Sequence, residues 1–492
     1  MTTASAGQRR PIMATSNVLG TTSRVVGALT LAAYGMLGAI LFWSRLDGLG
    51  ASLCCDELAT VEHFVRGGPE AILTGPYVPN NHELFSLLGW ASSSLLGESE
   101  IVLRLGSVVP FILGVVVLTV WLHARLGALA GLLFLFFATF SPLLLDLSRQ
   151  ARGYGLAFLA MSVMLVAALE AERSGRTRAV GAFCAAGLVG ALTLPHFAVA
   201  FFATGAVLLA RRDLRARFAV GLAASALVIV TWYAPHVGDI AESSRQSYGV
   251  PIETSWILTA PIDQTLVPAL TVIDDAFFEP DLGSLILAAA LAVLVVSSPL
   301  LRSRRQALLM VVGTLATVLM FWITGTEVVP RFFSFLLVPL LALTASGAAA
   351  ILARAVARPP IVRSLVAVGM VGFVVLTALP FMTSIPRLPR DPLRDVASVI
   401  SERAAASAPV FAYVPYPLDL VFHLGRPVEW PRTPAEARRV CDVGTEAVLV
   451  SQPWLLQPAE VSCTSRPGTQ HVRFEQYAHG GRTDVWIIPP AD

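Results

Sequence analysis

The sequence predicts an α-helical polytopic membrane protein of about 11 transmembrane helices, followed by a small C-terminal α/β extracytoplasmic domain. Three observations carry this reading. First, 55% of the 492 residues are hydrophobic and only 14% are charged, with a mean hydropathy of +0.69. Soluble domains hold about 25% charged residues, and this chain has no means of hiding so much apolar surface from water. Second, apolar runs of span length, about 17–25 residues, recur along the chain. Third, the pattern changes beyond residue 383, where short alternating segments and turn residues replace the apolar runs.

Residues 1–23 form a polar, basic tail, read as disordered and cytoplasmic. The apolar run behind it lacks a small-residue cleavage site, so it is read as a retained helix and not a signal peptide. The candidate spans lie near Val25–Trp43, Val108–Leu122, Gly127–Leu147, Tyr154–Ala171, Ala179–Leu194, Phe197–Ala210, Phe218–Pro235, Gly283–Leu301, Ala307–Ile323, Phe332–Leu352 and Leu365–Met382. Only Pro195-His196 divides the fifth from the sixth.

The connections sort by charge. "QRR", "HAR", "ERSGRTR", "ARRDLRAR", "RSRR" and "ARAVARPPIVR" alternate with loops richer in acids and aromatics. Short basic loops stay in the cytoplasm. The N-terminus is therefore expected inside, and the odd span count puts the C-terminus outside. Residues 24–383 form the membrane region, with outer loops 44–102 and 237–282, and residues 384–492 form the outer domain. In that domain "PLRDVASVISERAA" reads as an amphipathic helix and "APVFAYV" and "EAVLVSQ" as strands. "TPAEARRVC" opens with a helix cap, and "VRFEQYAHGGRTDVWIIPP" reads as a hairpin turning at Gly480-Gly481. Cys441 and Cys463 are a possible disulfide pair in an exported compartment, with two buried thiols as the alternative. The adjacent Cys54 and Cys55 are expected to be thiols.

The predicted span interiors hold almost no charge. Transporters usually keep polar groups inside their helices, where the substrate crosses. Here the polar groups gather in the outer loops, which points to chemistry at the outer boundary. After Asp56-Glu57, the stripe Leu58, Val61, Phe64 and Val65 predicts a short helix lying on the membrane surface. The cluster Asn80-Asn81-His82-Glu83 then opens a second interfacial helix with Leu84, Leu87, Leu88 and Trp90 on its apolar face. A boundary carboxylate can take a proton from an acceptor hydroxyl. Asn, His and Glu can bind sugar hydroxyls or a divalent metal, and Arg can hold a phosphate that leaves as an anion. Each residue also has a plainer reading. Asp56 is a helix cap, Glu57 a solvated surface group, Asn81 a cap, and His82 an interfacial anchor. Arg104, Arg149, Arg152 and Arg331 are snorkelling anchors. The outer loop 237–282 carries Asp263, Asp274 and Asp275 among aromatics, and reads equally as a closing loop or as a plain surface loop. The net charge of +2 identifies no partner, and no nucleic-acid partner is expected.

Taken in order, these pieces resemble the GT-C superfamily of membrane glycosyltransferases, in its protein O-mannosyltransferase and aminoarabinose transferase branch (glycosyltransferase family 39-like). The acidic pair Asp56-Glu57 follows the first span. "NNHELFSLL" from Asn80, "EIVLRLGSVVP" from Glu100, "SRQARGYG" from Ser148, "TLPHFAVAFF" from Thr193 and "PRFFSFLLVPLL" from Pro330 follow in the family's order. Glu83, Gly106 and Phe332 depart from it, standing where relatives carry proline, proline and tyrosine.

The resemblance implies transfer of a sugar from a polyprenyl-phosphate donor to an acceptor hydroxyl at the outer face, by single displacement with inversion. Asp56 would be the general base or would orient the acceptor, with Glu57 beside it. Asn81, His82, Glu83, Arg104, Arg149, Arg152, Tyr154, His196 and Arg331 would bind substrate, and Arg331 is the favoured phosphate ligand. A divalent metal would fall among Glu57, His82 and Glu83. The partners implied are the lipid-linked donor, a glycan, lipid or protein acceptor, and membrane lipids of the plasma membrane. The competing classes are a flippase for lipid-linked sugar, or another transporter, and a non-catalytic scaffold that binds cell wall.

Overall fold

The computed structural model describes residues 15–51, 53, 56–75, 81–240, 284–324, 330–384, 393–413, 418–431, 433–451, 461–475 and 482–490. The apolar runs fold into helices α1 (Thr15–Leu46), α5 (Glu100–Leu126), α6 (Ala128–Phe140), α7 (Pro142–Arg149), α8 (Tyr154–Ser174), α9 (Thr177–Thr193), α10 (Phe197–Leu208), α11 (Arg215–Tyr233), α12 (Ser284–Val296), α13 (Arg304–Thr324), α14 (Leu337–Val356) and α15 (Pro360–Ser384). Among the described residues, 6 helices are long and apolar enough to cross a membrane, or 7 if the bent pair α6–α7 is one span. Thr177–Thr193, Phe197–Leu208 and Pro360–Gly369 are shorter apolar stretches. The chain is thus a multi-pass membrane protein.

The third apolar run is not the single straight span its hydropathy predicts. It bends by 66° between α6 and α7. Ser141 caps the new helix by accepting a bond from Leu144 N–H at 3.3 Å, and Pro142 has no N–H to give the Ala138 carbonyl. The fully buried Arg45 replaces the lost donors. Its Nη2 bonds Ala138 O and its Nη1 bonds Thr139 O, each at 2.9 Å.

Helix α8 is the centre of the bundle, between α5 and α9. It approaches α5 closely because residue 155 is glycine, where any Cβ would overlap the Ser107 carbonyl oxygen. Phe111, Phe134, Phe158, Phe183, Phe197 and Phe201 fill the common core.

The segment between α1 and α5 holds α2 (Asp56–Thr60), a π-helical turn over Val61–Val65, α3 (Gly68–Thr74) and α4 (Glu83–Leu96). The predicted apolar stripe exists, but it does not face outward. Leu58, Val61 and Val65 are buried in a small core with Leu53, Phe85, Leu103 and Ala151. On α4, Phe85, Ser86 and Gly89 turn inward, while Leu88 and Trp90 are exposed. Asn80, Cys54, Cys55 and residues 241–283, with Asp263, Asp274 and Asp275, lie outside the described residues.

The C-terminal part contains α16 (Leu393–Arg403), β1 (Val410–Tyr413), α17 (Leu418–Leu424), α18 (Pro434–Ala437), β2 (Ala447–Ser451), β3 (Gln470–Glu475) and β4 (Arg482–Ile488). The sheet order is β1-β2-β4-β3, with β1 and β2 parallel and the other pairs antiparallel. The hairpin β3–β4 is present; its Gly480-Gly481 turn lies outside the described residues. Val448, Val450, Val485 and Ile487 pack on α16 and α17. Ala447, Leu449, Trp486 and Ile488 face a second core, beside which Cys441 and Cys463 form a disulfide. Helix α17 packs on α2. Arg394 of α16 donates to Gly50 O at 3.1 Å and pairs with Glu100.

Candidate active site

The acidic doublet starts α2, and its two carboxylates have different surroundings. Asp56 is 31% exposed, and its Oδ2 lies 2.9 Å from Arg331 Nη1 and 3.3 Å from Arg152 Nη1. The Arg152 side chain is buried, whereas that of Arg331 is 34% exposed. One carboxylate oxygen therefore joins a cation from the turn before α8 to a cation from the 3-10 helix over Pro330–Leu336 that leads into α14.

Glu57 is no solvated surface group. It is buried and forms a bidentate pair with Arg104, Nε to Oε1 and Nη2 to Oε2, both at 2.9 Å. Its Oε1 also accepts from Ala151 N–H at 2.5 Å. Arg104 Nη1 donates to Leu49 O at 2.7 Å and Ala51 O at 2.6 Å. Arg104 is therefore a buried brace and not a snorkelling anchor. Through Glu57 it fixes α2 against the turn that supplies Arg152.

His82 stands beside this pair. Its Nδ1 accepts from Gly153 N–H at 2.9 Å, and its Nε2 lies 3.2 Å from Arg152 Nη2. Complete burial, then Arg152, His196 and Arg331, hold the imidazole pKa well below its usual value. The ring thus stands between two donors, the Gly153 N–H and the Arg152 guanidinium, an arrangement that favours the neutral imidazole over the imidazolium. Tyr154 meets His82 edge to face at 5.2 Å and lies 5.6 Å from the Arg152 guanidinium carbon. The close approach needs Gly153, because a Cβ there would lie 2.5 Å from Thr193 Cγ2 and 2.9 Å from His82 Nδ1. His196 packs between Phe321 and Phe335, each at 5.5 Å.

The other candidates stand apart from Asp56. Asn81 is engaged structurally: its Nδ2 donates to Ile72 O at 3.1 Å and its Oδ1 accepts from Ser86 Oγ at 3.0 Å. Glu83 is buried and accepts a bond from Trp232 Nε1–H; its Oε1 lies 3.7 Å from His236 Nε2. Burial pushes its pKa from 4.5 up to about 7, against the Trp232 bond, which lowers it. Arg149 reaches Asp47 O at 3.5 Å and is not among the cations paired with Asp56. The three metal candidates do not share a site. Both Glu57 oxygens are held by Arg104, His82 Nδ1 by Gly153, and Glu83 by Trp232. Trp232 and His236, at the end of the apolar run Phe218–Pro235, carry no motif that marks them in the sequence.

A largely apolar cavity of about 270 Å³ lies among α12, α13 and α14. Val295, Met310, Val318, Phe333, Leu336 and Leu340 are among its lining residues. Phe333 and Leu336 belong to the same 3-10 helix as Arg331.

No family model matches the sequence, and no curated protein matches it. Solved structures do. The chain is similar to ArnT from Cupriavidus metallidurans in the apo state, with a TM-score of 0.57 at 15% identity, covering 95% of this chain and 98% of that one. The same protein bound to undecaprenyl phosphate matches with a TM-score of 0.56 at 15% identity, covering 93% and 98%. An oligosaccharyltransferase from Archaeoglobus fulgidus, in complex with zinc and sulfate, matches with a TM-score of 0.52 at 11% identity, covering 85% of this chain and 68% of that one. The chain has the GT-C fold.

Proposed function

We propose that this protein is a membrane glycosyltransferase that moves a hexosyl or pentosyl group from a polyprenyl-phosphate donor to an acceptor hydroxyl outside the membrane. The observation that carries the reading is the bridge from Asp56 to Arg152 and to Arg331, the latter on the 3-10 helix whose next turn lines an apolar cavity. The cavity would take part of the lipid tail and the arginines its phosphate. The GT-C fold shared with a protein seen bound to undecaprenyl phosphate supports the same donor class.

In this mechanism the acceptor oxygen gives its proton to Asp56, or is oriented by it, and attacks the anomeric carbon. The bond from that carbon to the phosphate oxygen breaks with inversion, and the phosphate keeps the electron pair. Arg331 and Arg152 stabilise the charge that develops there, so no separate acid is needed. Glu57 and Arg104 act as positioning residues. Glu57, His82 and Glu83 serve other partners and do not gather into one metal site. The topology that goes with this reading has about 11 spans, a cytoplasmic N-terminus, and both outer loops with residues 384–492 outside.

The test is direct. Purified protein is incubated with a panel of polyprenyl-phosphate sugars and candidate acceptors, and release of polyprenyl phosphate is measured. Release coupled to glycosylation of the acceptor supports the proposal. A protein that translocates the donor without cleaving it sinks it.

A further inference from the structure

The outer sheet carries a cleft that shares no lining residue with the Asp56 site. It encloses about 180 Å³ and is lined by Phe411, Glu429, Trp430, Pro431, Glu436 and Arg439. Phe411 and Pro431 are its buried floor, whereas Trp430 is 40% exposed.

Both walls of the cleft are held in place. Glu429 runs alongside β1 as a short parallel bridge: its N–H donates to Val410 O at 2.8 Å, and its carbonyl accepts from Ala412 N–H at 2.9 Å. This fixes Trp430 and Pro431 at the sheet edge. The opposite wall is α18 and the 3-10 turn Arg438–Asp442 that follows it. Thr433 Oγ1 caps this wall by accepting from Glu436 N–H at 3.2 Å. The Cys441–Cys463 disulfide and the 2.8 Å bond from Arg466 to Cys441 O tie down its end. Such a cleft forfeits little entropy on binding.

We infer that this cleft binds a saccharide chain, and that the acceptor of the proposed transferase is therefore a glycan. This inference rests on the transferase reading for its second half only. The indole face suits the C–H faces of a pyranose or furanose ring. The Glu429 and Glu436 carboxylates accept from hydroxyl groups, and the Arg439 guanidinium donates to them. A sugar hydroxyl needs both kinds of partner. A basic peptide would be served by the carboxylates but repelled by Arg439.

The cleft also stands within reach of the reaction centre. Helix α17 packs on α2, the helix that begins at Asp56. The residues from Gly425 to Trp430 span at most about 22 Å even when fully extended. A chain seated on Trp430 can thus present a hydroxyl to Asp56 a few sugar units away.

The experiment uses the full-length protein in lipid nanodiscs. Affinities are measured for linear oligosaccharides of mannose, arabinose, galactose and glucose, and for an oligoarginine peptide. At least one saccharide is expected to bind, and Trp430→Ala to weaken it roughly tenfold, as removal of an aromatic anchor does. Trp430→Phe, which keeps a ring, should recover most of the affinity. In the transfer assay, Trp430→Ala should raise KM for that saccharide more than it lowers kcat. The inference is overturned if no saccharide binds, if Trp430→Ala leaves the affinity unchanged, or if only the peptide binds. Saccharide binding at Trp430 without any release of polyprenyl phosphate would sink the transferase reading and leave the cleft standing.

Discussion

Arg331 Nη1 lies 2.9 Å from Asp56 Oδ2, joining residues 275 positions apart in the chain. Neither residue is buried deeply enough to demand a partner for stability alone. In the proposed reaction this pairing would set a proton acceptor beside a phosphate-binding group, as transfer from a lipid phosphate requires.

Replacing Asp56 with Asn keeps the shape and removes the base. Transfer is expected to fall by roughly 10²–10⁴-fold, the usual contribution of a positioned base. Release of polyprenyl phosphate reads the loss, and donor binding to the same variant confirms that the protein is folded.

Arg331→Ala should weaken donor binding about ten- to a hundredfold, and Arg331→Lys by less, because a charged hydrogen bond to phosphate survives only in part. Equilibrium binding of polyprenyl phosphate checks this. Equal affinity in wild type and Arg331→Ala would remove Arg331 from the donor site.

Glu57 and Arg104 are predicted to matter for stability. Removing one partner of a buried pair leaves the other charge stranded, at a cost of about 3–5 kcal/mol. Arg104→Ala should lower the unfolding temperature in detergent more than Asp56→Asn does. The double variant Glu57→Gln/Arg104→Met should recover part of the loss. A fully additive cycle would contradict the brace.

Glu83 predicts a pH dependence. Its pKa rises from 4.5 to about 7 on folding, so between those values the folded protein holds more protons than the unfolded chain. Stability contributed by the neutral form is fully present below about 4.5 and is lost as pH rises toward 7. The slope is at most about 1.4 kcal/mol per pH unit. Thermal unfolding between these limits should show the decline, and Glu83→Gln should flatten it.

Much of this architecture is legible in the sequence. The apolar runs found the helices, and the short apolar stretches "APVFAYV" and "EAVLVSQ" found β1 and β2, whose residues are buried on both faces. Periodicity states which side chains are covered, not what covers them. That is why Leu58, Val61 and Val65 read as membrane-facing although protein buries them. The doublet Asp56-Glu57 marks the right place, but adjacency hides the division of labour: successive helical residues point about 100° apart, one toward the arginines and one into the brace. Arg149 and Arg152 look alike in "SRQARGYG". The helix ends between them, so only Arg152 turns toward Asp56. Arg45 gave a weak signal through Ser141-Pro142, since a proline inside a span leaves a carbonyl that something must satisfy.

The carbonyls of Leu49, Gly50 and Ala51 are gripped in alternation by Arg104, Arg394 and Arg104 again. One hand belongs to the bundle and the other to the C-terminal region. Trimming the chain before α16 would therefore do more than discard an appendage, since it would release the middle finger of the strap that leads to Asp56. Chimeras that exchange this region among relatives should carry position 394 and the strap together.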